Sequence, residues 1–433
     1  MKTIAAVLLV LSMLPICALA DTQQQAQMAA EMLIAGDYAA LCAQFDDNMR
    51  GAVSEAALAA GVASIALQLG DCTGIAGVQA DETSGTAAIQ LLHESGASML
   101  SLAFDIQGRI ASMYIAPLQV QAAPLAKALG QGAQALAVTL FEGSGYPLAG
   151  EIVVPANADA HTPYVVFAHG SGPSDMDETI GANKPFRDLA YDLAALGVGS
   201  IRHDKITYSH PQRSCETIDQ EYLEPAMEAL RVLREATGAV SVYLLGHSEG
   251  GMLTPYLVDA CGFDGGVSLA GTPLALWEIS MAQNLALMDC VPEAQRAMLL
   301  AQIEAEREKG LRLAQMSDEE AALETVFGMP GVYLAHMARI DLAGTAKQSE
   351  KPFLFLWGEA DFQVERDAFD AWHDRLGEDD RYAYITYPGL NHLFMPAGER
   401  DSILNAQAAY ETPKAVDEKV SADIAAWIMA QEE

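Results

Sequence analysis

The sequence predicts an α/β protein in which a mostly parallel sheet is covered by helices on both faces and preceded by a small α+β domain. From about residue 136 onward, short apolar runs such as PYVVFA, SVYLLG and KPFLFLW alternate with amphipathic segments such as FRDLAYDLAALG. Strands that are apolar almost throughout are typical of parallel sheets buried on both faces. The preceding region differs, because it has helical spacing up to Leu69 and near-alternating apolar residues after it.

The first 20 residues have the layout of a secretory signal peptide. Lys2 supplies a positive charge, Ile4 to Ile16 form a short apolar run, and Ala18-Leu19-Ala20 is a small-x-small cleavage sequence. We therefore expect cleavage after Ala20 and a mature protein that is secreted or located in the periplasm or cell envelope. No other apolar run is long enough for a membrane span, so no transmembrane segment is predicted.

Two domains are predicted after this peptide. Residues 21–116 form the small α+β domain, with strands in GTAAIQLLHES, ASMLSLAFDI and RIASMYIA. This domain holds one histidine, His93, and no recognisable acid–base cluster, which favours a binding or spacing role with an unknown partner. Residues 117–135 contain the prolines and small residues of a linker, and the main domain spans residues 136–433.

The charge of the chain restricts its partners. Its formal net charge is −34. So strong a negative charge repels nucleic acids and anionic membrane surfaces, and neither is expected as a partner.

The cysteine pattern indicates disulfides rather than metal binding. An extracellular location permits disulfides, but pairing cannot be deduced from sequence. Cys42 with Cys72 and Cys261 with Cys290 are two open possibilities. Cleavage after Ala20 removes Cys17, so the mature chain keeps an odd number of cysteines, and at least one of them stays unpaired within the chain. The sequence has no Cys-x-x-Cys and no His-Glu-x-x-His, so neither a metal nor another cofactor is predicted.

A candidate nucleophile lies in the sequence GHSEGG. Ser248 stands between Gly246 and Gly250, directly after an apolar strand and before a helix-like run. A serine on a sharp strand-to-helix turn needs small residues two positions to either side, because neighbouring segments approach closely. A chance glycine-serine loop is the alternative, and the strand and helix on either side argue against it.

A serine hydroxyl is a weak nucleophile and needs a base. In this type of fold the order along the chain is serine, acid, histidine. His392 follows the predicted strand YAYITYPG and is the candidate base, whereas His373 lies within a predicted helix.

Asp361 is the candidate acid, because it follows the strand PFLFLWG in the same way. Its expected task is to orient the imidazole and stabilise its cation. Glu359, two residues away, is a minor alternative. Asp264 and Asp341 are less well placed.

Two backbone N–H groups are candidates for binding an oxyanion. One belongs to Glu249, directly after the nucleophile, and the other to Ser171 in the turn His169-Gly170-Ser171-Gly172, with Gly172 as the second choice. A phosphate-binding loop is the alternative for this turn, but the turn lacks the Gly-Lys-Ser/Thr ending that such a loop requires.

These residues resemble the α/β-hydrolase superfamily over roughly Leu136 to Glu433. The likeness is carried by HGSGPSDMDETIGANKPFRDLA, IRHDKITYSHP, GHSEGG, WGEADFQV and YPGLNHLFM. More narrowly, the chain is similar to bacterial secreted hydrolases with a small α+β domain in front. The resemblance implies a triad of Ser248, Asp361 and His392, with His169, Gly170, Gly246 and Gly250 shaping its turns. Members of this subgroup often have an arginine after Asp-Lys, where this chain has Ile206.

The segment from about residue 272 to residue 350 is too long for a simple connection and has helical spacing throughout. In a hydrolase of this type, such an insertion would form a lid over the serine. Its methionines and leucines would either line an acyl pocket or pack the lid helices together.

The function expected from these features is that of a serine hydrolase acting as a carboxylesterase on a small-molecule ester. A peptidase or amidase with the same triad is the nearest alternative, although no β-propeller repeat precedes the main domain. A binding protein on an inert hydrolase fold is the other, and the presence of all three triad residue types argues against it.

Overall fold

The structure is a computed structural model that describes residues 22–81, 84–94, 96–118, 123–213, 215–290, 293–398, 401–403 and 406–432. The predicted signal peptide therefore lies outside the described residues. The chain divides into two compact units, one up to Val120 and the other from Gln121.

The N-terminal unit places helices against one face of an antiparallel sheet. Its helices are α1 (Thr22–Ile34), α2 (Tyr38–Ala43), α3 (Asp47–Ala52) and α4 (Glu55–Leu69). Its strands are β1 (Cys72–Asp81), β2 (Thr86–His93), β3 (Gly96–Phe104) and β4 (Ile110–Leu118), paired in that order. Leu41, Phe45, Ile89 and Leu100 are fully buried and form the centre of its core. Strand β1 was not predicted, because apolar and polar residues alternate only weakly in its sequence CTGIAGVQAD. In the structure, its residues are half-buried or exposed along the whole strand.

The second unit is built on an eight-stranded sheet. Its strands are β5 (Gln134–Leu140), β6 (Leu148–Val154), β7 (Tyr164–Ala168), β8 (Gly199–His203), β9 (Val242–His247), β10 (Gly266–Leu269), β13 (Phe353–Gly358) and β14 (Tyr382–Tyr387). A two-residue pair, β11 (Thr325–Val326) and β12 (Met329–Pro330), forms a separate ribbon. The order in the large sheet is β14-β13-β10-β9-β7-β8-β6-β5. The first six strands in this order are parallel and the last two pair antiparallel.

Helices cover both faces of this sheet. They are α5 (Pro185–Ala195), α6 (Ile206–Ser209), α7 (Glu224–Thr237), α8 (Glu249–Cys261), α9 (Leu276–Ala286), α10 (Glu293–Gly310), α11 (Asp318–Ala321), α12 (Gly331–Ala338), α13 (Leu342–Gln348), α14 (Arg366–Leu376), α15 (Ala406–Glu411) and α16 (Glu418–Gln431). α7, α8, α13 and α14 bury apolar side chains on one face, and α5 and α16 on the other. The mostly parallel sheet with helices on both faces confirms the predicted fold class.

The insertion between β10 and β13 has a small core of its own around Trp277, Leu313 and Leu334. Its last helix, α13, is different, because it buries Leu342 and Ala346 in the main core beside α8. The helical spacing of the predicted insertion does not show that α13 packs in the main core rather than in the core of the insertion.

One of the disulfides that the sequence leaves open is not formed in the structure. Cys42, Cys72, Cys215 and Cys261 are free thiols, so the Cys42–Cys72 bridge is not formed. The side chain of Cys290 lies outside the described part of the chain. Among the helices that the structure describes, none has both the length and the apolar character that a membrane span requires.

Candidate active site

Ser248 lies on a strained turn between β9 and α8. Its backbone has φ 53° and ψ −113°, a conformation that residues with a side chain rarely adopt. Its N–H donates to the carbonyl of Leu269 at the end of the neighbouring strand β10, at 2.8 Å. The turn therefore raises Ser248 at the carboxyl edge of the sheet, where ligands of open parallel sheets bind.

The glycines on either side are required by the approach of backbone atoms. A Cβ atom on Gly246 would lie 2.2 Å from the carbonyl oxygen of Gly250. A Cβ atom on Gly250 would lie 2.3 Å from the carbonyl oxygen of Ala168, at the end of β7. Both distances are far below van der Waals contact, and the obstructing atoms are backbone atoms that cannot rotate away.

We expect Gly250→Ala to destabilise the second unit. Alanine at a helical position normally favours folding over glycine by about 1 kcal/mol, but overpacking against the fixed β7 backbone reverses the sign, to a net loss of about 1–3 kcal/mol. Urea unfolding followed by tryptophan fluorescence measures this unit selectively, because all four tryptophans lie after Gln121.

Gly145→Ala is the matched control. A Cβ atom there meets no neighbour within 4 Å and the backbone is not in the left-handed region. Its unfolding midpoint should equal that of the wild type or exceed it slightly. Equal midpoints for the Gly250 and Gly145 variants would contradict the close packing at the turn.

His392 and Asp361 are hydrogen-bonded to each other. The His392 Nδ1 lies 2.7 Å from Asp361 Oδ2, and both side chains are almost completely buried. The second carboxylate oxygen, Oδ1, accepts the backbone N–H groups of Gln363 at 2.7 Å and Val364 at 3.0 Å. Because β13 and β14 are adjacent and parallel, the loops that carry the two residues leave the same edge of the sheet.

The alternative acids and the alternative histidine have other partners. Glu359 accepts a hydrogen bond from the Thr386 hydroxyl at 2.9 Å. Asp341 caps α13 by accepting the Gly344 N–H at 2.8 Å. The remaining two are Asp264, which accepts the Val242 N–H at 2.9 Å, and His373, which pairs with Glu378 on the surface.

His247 connects the Ser248 turn to the His392 loop. Its Nε2 lies 2.9 Å from the His392 carbonyl oxygen, and the two imidazole rings are 4.8 Å apart. Its Nδ1 lies 3.0 Å from Glu178 Oε2, although the approach is off the N–H axis and forms a close electrostatic contact rather than an aligned hydrogen bond. Burial alone lowers the pKa of His247, but Glu178 and the His392 carbonyl raise it, and its net pKa is above the ordinary value. These contacts therefore stabilise the protonated form of His247 relative to that of a free imidazole.

The sequence did not single out His247 or Glu178 as functional residues. Glu178 is 2% exposed and has a left-handed φ of 51°. Its other carboxylate oxygen, Oε1, accepts the N–H of Gly170 at 2.6 Å, so one carboxylate contacts both the turn after β7 and the residue before Ser248. The segment DMDETIGANK, which contains Glu178, is part of the sequence that resembles the α/β-hydrolase superfamily. That resemblance is the signal that could have pointed to Glu178.

The turn after β7 is held against the start of α8. The carbonyl of His169 accepts the Gly250 N–H at 3.0 Å, and its ring Nε2 lies 3.1 Å from the Asp175 carbonyl oxygen. Burial lowers the pKa of His169 well below its ordinary value, and His203 and Lys205 lower it further, so this imidazole is neutral. Gly172 has a left-handed φ of 80°, which places it where the turn reverses.

Ser248, Ser171 and Glu249 line one cavity of about 140 Å³. The apolar part of its wall consists of Met252, Ala270, Leu276, Ile279, Met329 and Val364. Three of these belong to the insertion, so the insertion forms a roof over Ser248. The cavity thus places the candidate nucleophile beside both candidate oxyanion residues.

Comparison with known proteins agrees with this architecture. Residues 165–402, more than half of the chain, match the model of the alpha/beta hydrolase family. The chain belongs to the alpha/beta hydrolase family. The esterase EstD of Thermotoga maritima is 32% identical over 288 residues, and the alignment spans 65% of this chain and 65% of the length of that relative.

Solved structures that resemble this chain share less of its sequence. Est1E from Butyrivibrio proteoclasticus is 16% identical, with a TM-score of 0.43 over 68% of this chain and 99% of that one. A puromycin-hydrolysing peptidase from Mycobacterium tuberculosis is 17% identical, with a TM-score of 0.43 over 80% of this chain and 47% of that one.

A buried polar cluster lies beside the Ser248 turn. The Glu249 carboxylate accepts the hydroxyl of Tyr333, on α12 of the insertion, at 2.7 Å. Burial raises the pKa of Glu249, and the opposing effects of Lys205 and of the Tyr333 hydrogen bond do not cancel this rise. The sequence predicted a role for the Glu249 backbone only, so the contact between its side chain and the insertion is a structural finding.

No metal site is apparent in the part of the chain that the structure describes. Among those residues, no three histidine, cysteine, aspartate or glutamate side chains converge in a way that would hold a metal ion.

Proposed function

We propose that this hydrolase is a carboxylesterase that forms an acyl-enzyme on Ser248. The observation that supports this most strongly is the buried His392–Asp361 hydrogen bond at the same edge of the sheet as the strained Ser248 turn. A carboxylate on Nδ1 leaves Nε2 as the acceptor that a serine hydroxyl needs. That the curated relative EstD is an esterase favours ester over amide substrates.

The proposed reaction has two half-reactions. Ser248 Oγ attacks the acyl carbon while its proton passes to His392, and the carbonyl oxygen becomes an oxyanion bound by the N–H groups of Ser171 and Glu249. Collapse of this intermediate breaks the ester bond, and His392 protonates the departing alkoxide. A water molecule then adds to the acyl carbon by the same route and releases the acid and the free serine.

Covalent labelling combined with turnover tests this proposal. The wild-type protein is treated with a fluorophosphonate, its intact mass is measured and the adduct is mapped, while p-nitrophenyl acetate and an aminoacyl p-nitroanilide are assayed in parallel. One adduct on Ser248, with faster cleavage of the ester, supports the carboxylesterase. Faster cleavage of the anilide would indicate an amidase instead, and a protein that neither labels nor turns over either substrate would be a binding protein on this fold.

The small cavity predicts a preference for short acyl chains. A cavity of about 150 Å³ in another protein holds one benzene ring, or six carbon atoms, and the cavity beside Ser248 is about 140 Å³. We expect kcat/KM to be highest for p-nitrophenyl esters from acetate to about hexanoate and to fall by an order of magnitude or more at palmitate.

Ile279→Ala provides the sharper test, because Ile279 lines the cavity from α9. This change should move the optimum toward longer chains. Leu323→Ala is the control, since Leu323 also lies in the insertion but is 88% exposed. An unchanged profile for Ile279→Ala, or a wild-type profile that is flat from acetate to palmitate, would contradict the assignment of this cavity to the acyl group.

A further inference from the structure

The carbonyl group of Gly170 accepts hydrogen bonds from two buried side chains. Lys205 Nζ donates to it at 2.8 Å and the Tyr222 hydroxyl at 3.1 Å. Lys205 follows strand β8 and is 2% exposed, and Tyr222 precedes α7 and is 4% exposed. Neither residue belongs to the proposed triad or contributes an oxyanion donor, yet both contact the turn that carries Ser171.

The ammonium group of Lys205 is held by two hydrogen bonds and an ion pair. Two of its three N–H groups donate to Gly170 O at 2.8 Å and to the Tyr222 hydroxyl oxygen at 2.7 Å. The ammonium also pairs with the Glu221 carboxylate, whose Oε1 lies 3.1 Å from Nζ. Glu221 thus places a negative charge beside the buried ammonium and compensates it.

Peptide geometry relates this carbonyl to the proposed oxyanion donor. The C=O of Gly170 and the N–H of Ser171 belong to the same peptide group, and in a planar trans peptide they point in opposite directions. A carbonyl fixed on Lys205 and Tyr222 therefore directs the Ser171 N–H away from them. Ser171 itself lines the cavity that contains Ser248. The preceding peptide is fixed as well, because its Gly170 N–H donates to Glu178 at 2.6 Å.

We propose that Lys205 and Tyr222 are positioning residues that aim the Ser171 N–H at the oxyanion, an inference that rests on the proposed esterase function. A charged donor on a carbonyl also polarises its peptide group, which makes the N–H on the other side a stronger donor. Donors that are already oriented before the reaction stabilise the developing charge without reorganisation. The two side chains thus act on the transition state through a backbone group and need not touch the substrate.

Two variants test the proposal with p-nitrophenyl acetate as substrate. Tyr222→Phe removes one donor from Gly170 O and keeps the size of the ring, and kcat should fall roughly threefold to tenfold, the effect of one hydrogen bond. Lys205→Met/Glu221→Gln removes the charged donor together with its counter-ion, so no unpaired charge is buried, and kcat should fall roughly 10²-fold. KM should change little in both variants, because the oxyanion forms only after substrate binding.

Inhibition by a trifluoromethyl ketone separates positioning from a merely structural role. This compound forms an oxyanion when a serine adds to it, so its Ki should rise by the same factor as kcat falls. Tyr382→Phe is the matched control, because the Tyr382 hydroxyl also donates to a buried carbonyl, that of Ala346 at 3.0 Å. Tyr382 begins β14, whereas the turns that carry Ser171 and Ser248 follow the carboxyl ends of β7 and β9. The kcat and Ki of Tyr382→Phe should equal those of the wild type.

Several outcomes would overturn the positioning role. One is a Tyr222→Phe enzyme with the kcat of the Tyr382→Phe control; this single variant decides the matter if the double variant does not fold. Another is a loss of kcat with unchanged Ki for the ketone. A wild-type protein that hydrolyses no ester would overturn the proposed function and this inference together. An active wild type whose variants keep the wild-type kcat would overturn the inference alone.

Discussion

Ser248→Ala is expected to lower kcat for p-nitrophenyl acetate by roughly 10⁵- to 10⁶-fold, the loss typical of removing the nucleophile from a triad. The proposed reaction passes through an ester of Ser248 Oγ, and alanine has no atom on which that ester can form. Fluorophosphonate labelling should disappear completely in the same variant.

The fold should survive this change. Alanine meets the same backbone requirement as serine at φ 53°, and it removes one oxygen without creating a contact. The urea midpoint from tryptophan fluorescence should therefore match that of the wild type. A clean preparation of Ser248→Ala that keeps a tenth of the wild-type turnover would exclude Ser248 as the nucleophile.

Asp361→Asn is expected to lower kcat by roughly 10⁴-fold while leaving KM nearly unchanged. The asparagine oxygen can replace Oδ1 as acceptor for the N–H groups of Gln363 and Val364, so the loop keeps its shape. Its NH₂ group then faces His392 Nδ1 and donates to it. The ring consequently carries its proton on Nε2, the nitrogen that must accept the proton of Ser248. Steady-state kinetics on p-nitrophenyl acetate measure the loss.

Glu359→Gln is the control for this prediction, because Glu359 is the other acid that the sequence left open. Glu359 binds the Thr386 hydroxyl near the end of β14, and glutamine can accept the same hydrogen bond. We expect wild-type turnover from it. A large loss in Glu359→Gln together with an active Asp361→Asn would transfer the role of the acid to Glu359.

The residues that could be predicted from sequence are those whose position follows from the end of a strand. Ser248, Asp361 and His392 each come within a few residues of an apolar run, and parallel strands bring such positions to one edge. The glycines around Ser248 were predicted for the same reason, and the structure gives their closest contacts as backbone carbonyls. Two features could not be predicted in this way. Strand β1 alternates too weakly to be recognised. Whether Cys42 and Cys72 form a disulfide depends on the distance between them in the fold, which no periodic pattern in the sequence shows.

The supporting side chains could not be predicted, because their contacts join distant parts of the chain. Lys205 reaches the carbonyl of a residue 35 positions earlier, and Tyr222 reaches the same carbonyl across 52 positions. Glu249 meets Tyr333 across 84 positions, from a different layer of the domain. Nothing in the sequence distinguishes this lysine, tyrosine and glutamate from the same residue types on a protein surface. Their hydrogen bonds are obligatory only because the side chains are buried.

By itself, then, the sequence determined the fold class, the order of strands and helices in the second unit, and the three residue types brought to one edge of its sheet. It could do so because hydrophobic period and strand ends are local properties of the chain. Only the tertiary structure decided that α13 joins the main core, that His247 and Glu178 connect the Ser248 turn to the His392 loop, and that Lys205 and Tyr222 hold the Gly170 carbonyl. The physical reason is that a buried polar group must find its partner wherever the packing of the chain places one, and that place is independent of sequence separation.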